Sequence, residues 1–276
     1  MKRKGHIFEP VMKILTWLAA GATMSVLLFL IGFILVRGIP YLKPSLFAFT
    51  YNSENVSLMP AMISTVFMTL LSLLIAVPIG VFAAIYLTEY VGRGNKLVVL
   101  VRVTAETLSG IPSIVYGLFG LLFFVTFLGW GFSVLAGAFT LAMMILPLIM
   151  RSSEEALKAV PDIYREGAFG LGAGKLRTVF KIVLPAAMPG ILAGMILAVG
   201  RIVGETAALI YTSGTVAQVP VSPMQSARTL SVHMYALSSE GLHTNESYAT
   251  AVVLLVVVVL INALSAKLAK RIGGKA

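Results

Sequence analysis

The chain has 276 residues, 58% of them hydrophobic and 12% charged, roughly half the charge of an average soluble domain. A water-exposed globule this apolar would present too much greasy surface to stay dissolved. The composition therefore excludes an ordinary soluble enzyme, a disordered tail and a nucleic-acid-binding domain. The formal net charge of +10, from 21 Lys and Arg against 11 Asp and Glu, fits a bilayer better than DNA. There is no Cys, hence no disulfide framework, thiolate metal site or Cys nucleophile, and His6, His233 and His243 are too scattered for a metal cluster.

The uncharged runs locate the elements, since a membrane helix needs about 20 apolar residues. Lys13 and Arg37 bracket the first, residues 14–36. This run of about 23 residues exceeds the 7–15 of a signal-peptide core, so it reads as an uncleaved span. The next uncharged stretch, between Glu54 and Glu89, gives a second span over residues 61–87. Residues 107–150 are too long for one helix, and Gly129-Trp130-Gly131 divides them into spans over 108–128 and 132–150. A fifth span covers 189–211 and a sixth 248–266. The expected fold is all-α and polytopic, with six membrane helices. Pro78, Pro112 and Pro147 fall inside spans, where neighbouring helices can satisfy the freed carbonyls. Gly190, Ala193 and Gly194 read as places of close helix approach.

Basic residues mark the expected cytoplasmic side. Four stretches hold 17 of the 21: the N-terminal segment with Lys2, Arg3, Lys4 and Lys13; the loop with Arg93, Lys96 and Arg102; the segment from Arg151 to Lys181; and the tail from Lys267 to Lys275. The other side holds only Arg37, Lys43 and Arg228. Both termini are expected in the cytoplasm. By organisation, residues 1–60 form an N-terminal cytoplasmic segment, first span and external loop, and residues 61–276 form the core, with a cytoplasmic loop at 151–188.

That loop should begin as an extension of the fourth span. Pro161 interrupts it, Asp162 is placed to cap a short helix, and Gly170, Gly172 and Gly174 end that helix. A further helix from Lys175 is expected to stop at Pro185. Gly170-Leu-Gly-Ala-Gly-Lys175 fails as a phosphate-cradling loop, because Phe169 replaces the first Gly and Leu176 the Ser/Thr that would hold magnesium.

Within the loop, Glu166-Gly167-Ala168, then Gly172, Ile182 and Leu184-Pro185, resemble the EAA loop of ABC-importer permeases, with Gly167 where the middle Ala is usual. The resemblance implies the type I importer permease fold. It also implies that Arg165, Glu166, Gly167, Ala168, Gly172, Ile182, Leu184 and Pro185 belong to a coupling helix and its flanks, docking on a cytoplasmic ATPase.

Arg201 and Glu205 are the charges expected well inside a span, Arg201 about 18 Å along the fifth helix at 1.5 Å per residue. An Arg near mid-bilayer costs about 2.5–3.5 kcal/mol on insertion scales, so a function or a partner must offset it. The i, i+4 spacing puts the two on one helix face, within ion-pair reach. Either the pair fastens helices together, or Arg201 serves an anion, its planar fork matching two phosphate oxygens.

The string Arg201-Ile-Val-Gly204-Glu205-Thr206-Ala is similar to a segment of phosphate-importer permeases of the PstA type. Gly110-Ile-Pro-Ser-Ile-Val-Tyr-Gly117, Glu155 to Pro161, and Thr229-Leu-Ser-Val support the same resemblance, which covers most of the chain from residue 61 onward. It implies a multi-pass protein of the bacterial inner membrane with Arg201, Glu205 and Thr206 on the substrate pathway. Its implied partners are a homologous PstC-type permease, two PstB-type ATPases holding ATP and Mg, a periplasmic PstS-type phosphate-binding protein, phosphate and membrane lipid. The chain itself would bind no cofactor, metal or nucleic acid and catalyse no reaction. Permeases for sulfate or molybdate, a channel, and a membrane enzyme acting on lipid phosphates are the rivals.

Overall fold

A computed structural model describes residues 8–91 and 95–273; Lys2, Arg3, Lys4, His6, Arg93 and Lys275 lie outside the described residues. Among the described residues, five helical segments are long and apolar enough to cross a bilayer: Pro10–Tyr41, Met59–Tyr90, Val134–Lys158, Lys175–Val203 and Thr244–Leu264. They fall on α1 (Phe8–Gly38), α2 (Met59–Ile85), α5 (Val134–Lys158), α8 (Leu184–Val203) and α11 (Thr244–Gly273), of which α1 starts before its segment and α11 runs past it. Shorter helices fill the rest: α3 (Lys96–Ser109), α4 (Ser113–Gly120), α6 (Asp162–Gly170), α7 (Lys175–Thr178), α9 (Ala207–Ile210) and α10 (Leu230–Glu240). Among the described residues there is no strand.

The third expected span is not one straight helix over 108–128. Residues Val98–Ser109 and Ser113–Phe127 meet at 99°, a bent pair that is long and apolar enough to cross a bilayer only when its two halves are taken together. The cause is local. Ile111 precedes a proline and is steered away from helical geometry, and Pro112 is extended at φ −58°, ψ 141°. The corner is closed by the Tyr116 hydroxyl, which donates to the Leu108 carbonyl at 2.9 Å.

Pro185 does not stop its helix either. α7 runs through a wide turn, Val179–Val183, directly into α8. Such a turn moves the Lys181 carbonyl, which the Pro185 ring would otherwise strike, and leaves the missing N–H without consequence. The fifth span therefore begins at Lys175 rather than 189, and ends at Val203 rather than 211.

α5 is the central element, packed between α2 and α8, with α11 behind α8. Lipid supplies no hydrophobic drive between helices, so close fit must hold them. A Cβ at Gly80 would meet Ile149 at 2.8 Å, and one at Gly190 would meet Ala156 at 2.7 Å. Gly194 is likewise pressed against Ser152, whereas Ala193 is exposed. Met68, Leu141, Ile145, Ile149 and Ile202 form the middle of the core. Leu157, Val160, Val179 and Val183 close the end carrying the loop basic residues, hereafter the basic end. Leu46, Leu58, Leu230 and Leu237 close the far end. α1 stands apart from this core, with none of its most apolar window buried, and meets α11 where Phe33 and Arg37 pack on Tyr248.

Candidate functional site

At the basic end, α5 runs out to Lys158 and the chain turns through Pro161 into α6. Asp162 is the first helical residue rather than the cap, so its carboxylate offsets the positive end of the helix dipole. The helix closes at Gly172, whose φ of +81° suits glycine. Around it, Ala173 N–H donates to the Ala168 carbonyl at 3.0 Å and Gly172 N–H to Phe169 at 2.9 Å, the paired bonds of a Schellman ending. Gly172 of the EAA pattern is thus the residue that lets α6 end and reverse.

Arg165 is drawn inward. Its Nη2 donates to Glu89 Oε1 at 2.7 Å and to the Leu157 carbonyl at 3.0 Å, and Nη1 donates to the Val160 carbonyl at 2.8 Å. The Glu89 carboxylate holds the guanidinium above its usual range, against the opposing effect of burial. Glu166 and Gly167 are exposed and Ala168 is buried. Ile163, Tyr164, Phe169 and Leu171 stand out beside them as large exposed apolar side chains. Ile182 and Leu184 are half-buried on the wide turn and the start of α8, and Pro185 is exposed. The arrangement is a short, rigidly rooted helix presenting an acid and an apolar face outward.

Arg201 lies in the last turn of α8, two residues before its final residue, Val203, rather than in the middle of a long helix. The expected ion pair with Glu205 is not formed, because the helix ends first: Gly204 is the C-cap and Glu205 already lies on the next turn. The Glu205 side chain is buried and its Oε1 accepts the Ala208 N–H at 3.1 Å, capping α9. Its own carbonyl accepts the Ser231 hydroxyl at 2.5 Å, tying the break to α10. Thr206, half-buried, supplies the carbonyl that receives Ile210 N–H.

Arg201 instead lines a cavity of about 690 Å³ between α3, α5 and α8, with Arg102, Glu106, Arg151, Glu154, Glu155 and Lys158. The other charges answer one another. Arg102 Nε and Lys158 Nζ both reach Glu154 Oε1 at 2.7 Å. Arg151 reaches Glu155 at 3.2 Å and Glu106 at 3.8 Å. Among the described residues Arg201 has no ion pair, so it is the surplus cation of the cavity. The sequence pointed to Arg201 but missed Arg102 and Glu154, whose pairing links segments 52 residues apart.

A bundle of apolar helices with an open, charge-lined cavity on its side and an exposed short helix on one rim has the architecture of a membrane permease subunit. The sequence signature described as the binding-protein-dependent transport system inner membrane component matches residues 76–274, and the chain belongs to that family. It is 32% identical over 243 residues to the probable ABC transporter permease protein YqgI of Bacillus subtilis (strain 168), covering 82% of this chain and 81% of that one. It is 37% identical over 205 residues to the phosphate transport system permease protein PstA 2 of Mycobacterium tuberculosis (strain CDC 1551 / Oshkosh), covering 72% and 67%. Among solved structures, a bacterial ABC transporter for the import of the acidic polysaccharide alginate superposes with a TM-score of 0.64 at 15% identity, over 96% of this chain and 99% of that one. The inward-facing MetNI methionine transporter gives 0.61 at 19% identity, over 77% and 93%. The chain is therefore a multi-pass inner-membrane permease subunit of an ABC importer, not itself an enzyme.

Proposed function

We propose that the cargo is inorganic phosphate and that this chain is the PstA-type half of the translocation pathway. The observation that carries the reading is Arg201, half-buried and without an ion pair among the described residues, in a cavity where the neighbouring charges are matched. Its planar fork matches a tetrahedral oxyanion. The PstA-named relatives support phosphate over other oxyanions.

On this reading the basic end faces the cytoplasm, placing both termini there. A PstC-type permease completes the pathway, a PstS-type protein delivers phosphate from the periplasm, and two PstB-type ATPases bind ATP and Mg. Glu166 and the apolar face of α6 take the ATPase stroke, and Arg165 passes it to the second span through Glu89. Glu205 and Thr206 shape the break beside the anion rather than neutralising Arg201.

A sulfate or molybdate permease is the second reading, because the same guanidinium chemistry serves either. The test is uptake of labelled phosphate by the whole importer in proteoliposomes. Unlabelled phosphate should compete and sulfate and molybdate should not; competition by sulfate or molybdate alone overturns the phosphate assignment.

A further inference from the structure

At the far end of the bundle, three separate irregularities meet. Arg228 is 5% exposed, and its Nε and Nη2 have no hydrogen-bond partner. His233, on the first turns of α10, is fully buried with neither ring nitrogen bonded. Both lie against Tyr51: the guanidinium sits 4.6 Å from its ring centre, and the imidazole stands edge-on at 6.2 Å. The third irregularity is Val56, buried, with φ of +39°. A β-branched side chain is strained in that region, and such strain persists only where surrounding structure over-determines it.

The surroundings here do so. Asn52 Oδ1 accepts the N–H groups of Glu54 and Asn55, and Asn55 Oδ1 accepts those of Asn52 and Ser57. The Ser57 hydroxyl is tied to the carbonyls of Leu46 and Ala48. Residues 51–57 thus form a pinned flap over Arg228 and His233. Burial, then the nearby Arg228 charge, push the His233 pKa down to about 3, so the imidazole is neutral; the Val56 backbone approaches without completing a hydrogen bond.

What Arg228 lacks is an acceptor for Nε and Nη2. Arg228 immediately precedes Thr229, the N-cap of α10, so its charge is added to the positive end of that helix. Tyr51 offers only a π face. Glu205, a buried acid whose carbonyl is tied to Ser231 of α10, uses its carboxylate to cap α9. A buried guanidinium with unmet donors, at a positive helix end and under a strained flap, suits a site that is filled only part of the time.

We propose that Arg228, under the flap of residues 51–57, is an outer receiving site for the transported oxyanion. The anion reaches it when the flap lifts and then moves inward past the Ser231–Glu205 contact towards Arg201. This rests on the reading that the cargo is an oxyanion. It adds a second cationic station at the opposite end of the pathway.

The test uses the complete importer in proteoliposomes. The chain has no Cys, so His233→Cys places a single thiol in it beneath the flap. A membrane-impermeant methanethiosulfonate reagent added outside should modify that thiol about tenfold or more faster in the ATP–vanadate-trapped complex than without nucleotide. Millimolar phosphate should slow the modification by a similar factor, the scale of one charge-assisted contact. Equal rates in both states, or no protection by any of phosphate, sulfate or molybdate, overturn the proposal. Arg228→Gln should lower phosphate uptake about tenfold or more while the ATPase response to the binding protein is kept. Loss of that response instead makes Arg228 a docking contact for an acidic protein surface and overturns the site. If Arg228→Gln does not assemble, protection of the His233→Cys thiol decides with Arg228 intact. Protection by sulfate or molybdate but not phosphate leaves the outer site standing and fails the phosphate reading alone.

Discussion

Arg165 and Glu89 are joined at 2.7 Å across 76 residues of sequence, and both side chains are largely withdrawn from solvent, at 15% and 7% exposure. The contact ties the first half of α6 to the end of the second span. On the proposed function, a push on α6 would reach the bundle through this charge-assisted bond as well as through the covalent path by way of Pro161.

Glu89→Gln should loosen this root, leaving Arg165 with its two backbone acceptors, the Asp162 carboxylate at 3.2 Å and a neutral amide, at a local cost of about 1–3 kcal/mol. The expected outcome is a complex that assembles and hydrolyses ATP but moves fewer phosphates per ATP. Glu166→Lys, by contrast, alters an exposed side chain on the outward face and should release the ATPase altogether. Co-purification and the transport-to-hydrolysis ratio distinguish them. An unchanged ratio in Glu89→Gln would show that the pair does not transmit force.

The break after Arg201 gives Arg201 and Glu205 different expected phenotypes. Arg201→Gln should cut phosphate uptake by about 10- to 100-fold, the scale of one bidentate charge-assisted contact, with assembly intact. Glu205→Gln keeps an acceptor for Ala208 N–H and should leave uptake near normal. Glu205→Ala loses the cap and should cost about 1 kcal/mol of stability. Were Glu205 the counter-ion of Arg201, Glu205→Gln would impair uptake as severely as Arg201→Gln.

The spans were legible because charge is excluded from hydrocarbon, and that exclusion is written directly in the order of residues. What proline does within a span was not. Pro78 and Pro147 sit inside continuous helices, Pro185 follows a wide turn, and Pro112 makes a 99° corner. The difference at Pro112 lies in Gly110 before Ile111: a residue of low helix propensity followed by a pre-proline position. The same tertiary dependence hid the fate of Glu205. Spacing of four promises a shared face only while the helix lasts, and Gly204 ends it. Arg228 read as one of three basic residues on the external side, since nothing local reveals that Tyr51, 177 positions earlier, covers it.

Two glycines should respond oppositely to the same substitution. A Cβ at Gly117 would lie 2.7 Å from the Ala208 Cα, a backbone atom that cannot turn aside, so Gly117→Ala must force α4 from the α9 segment. Overpacking of this kind costs about 1–3 kcal/mol. Gly167, exposed on α6 with nothing within 4 Å of its Cβ position, should gain up to about 1 kcal/mol of helix stability as Ala. Thermal unfolding of the detergent-solubilised complex would show the first variant lowered and the second equal to or above the parent. A fall in the second would mean that α6 needs a pliant position at Gly167.

His233 should make the far end acid-sensitive. It lies on α10, outside the spanning helices, buried beside Arg228, and stays neutral down to about 3 against an ordinary value near 6.5. Between those limits the unfolded chain binds a proton that the folded chain refuses, so stability must fall as pH falls. The loss begins near pH 6.5 and amounts to roughly 1 kcal/mol for each further unit. His233→Leu removes the titrating group while keeping apolar bulk against Tyr51. Unfolding midpoints at pH 7.5 and 5.0 should therefore separate more in the parent complex than in the variant. Equal separation would mean that the imidazole is protonated in place, with a carboxylate from a neighbouring subunit as its partner.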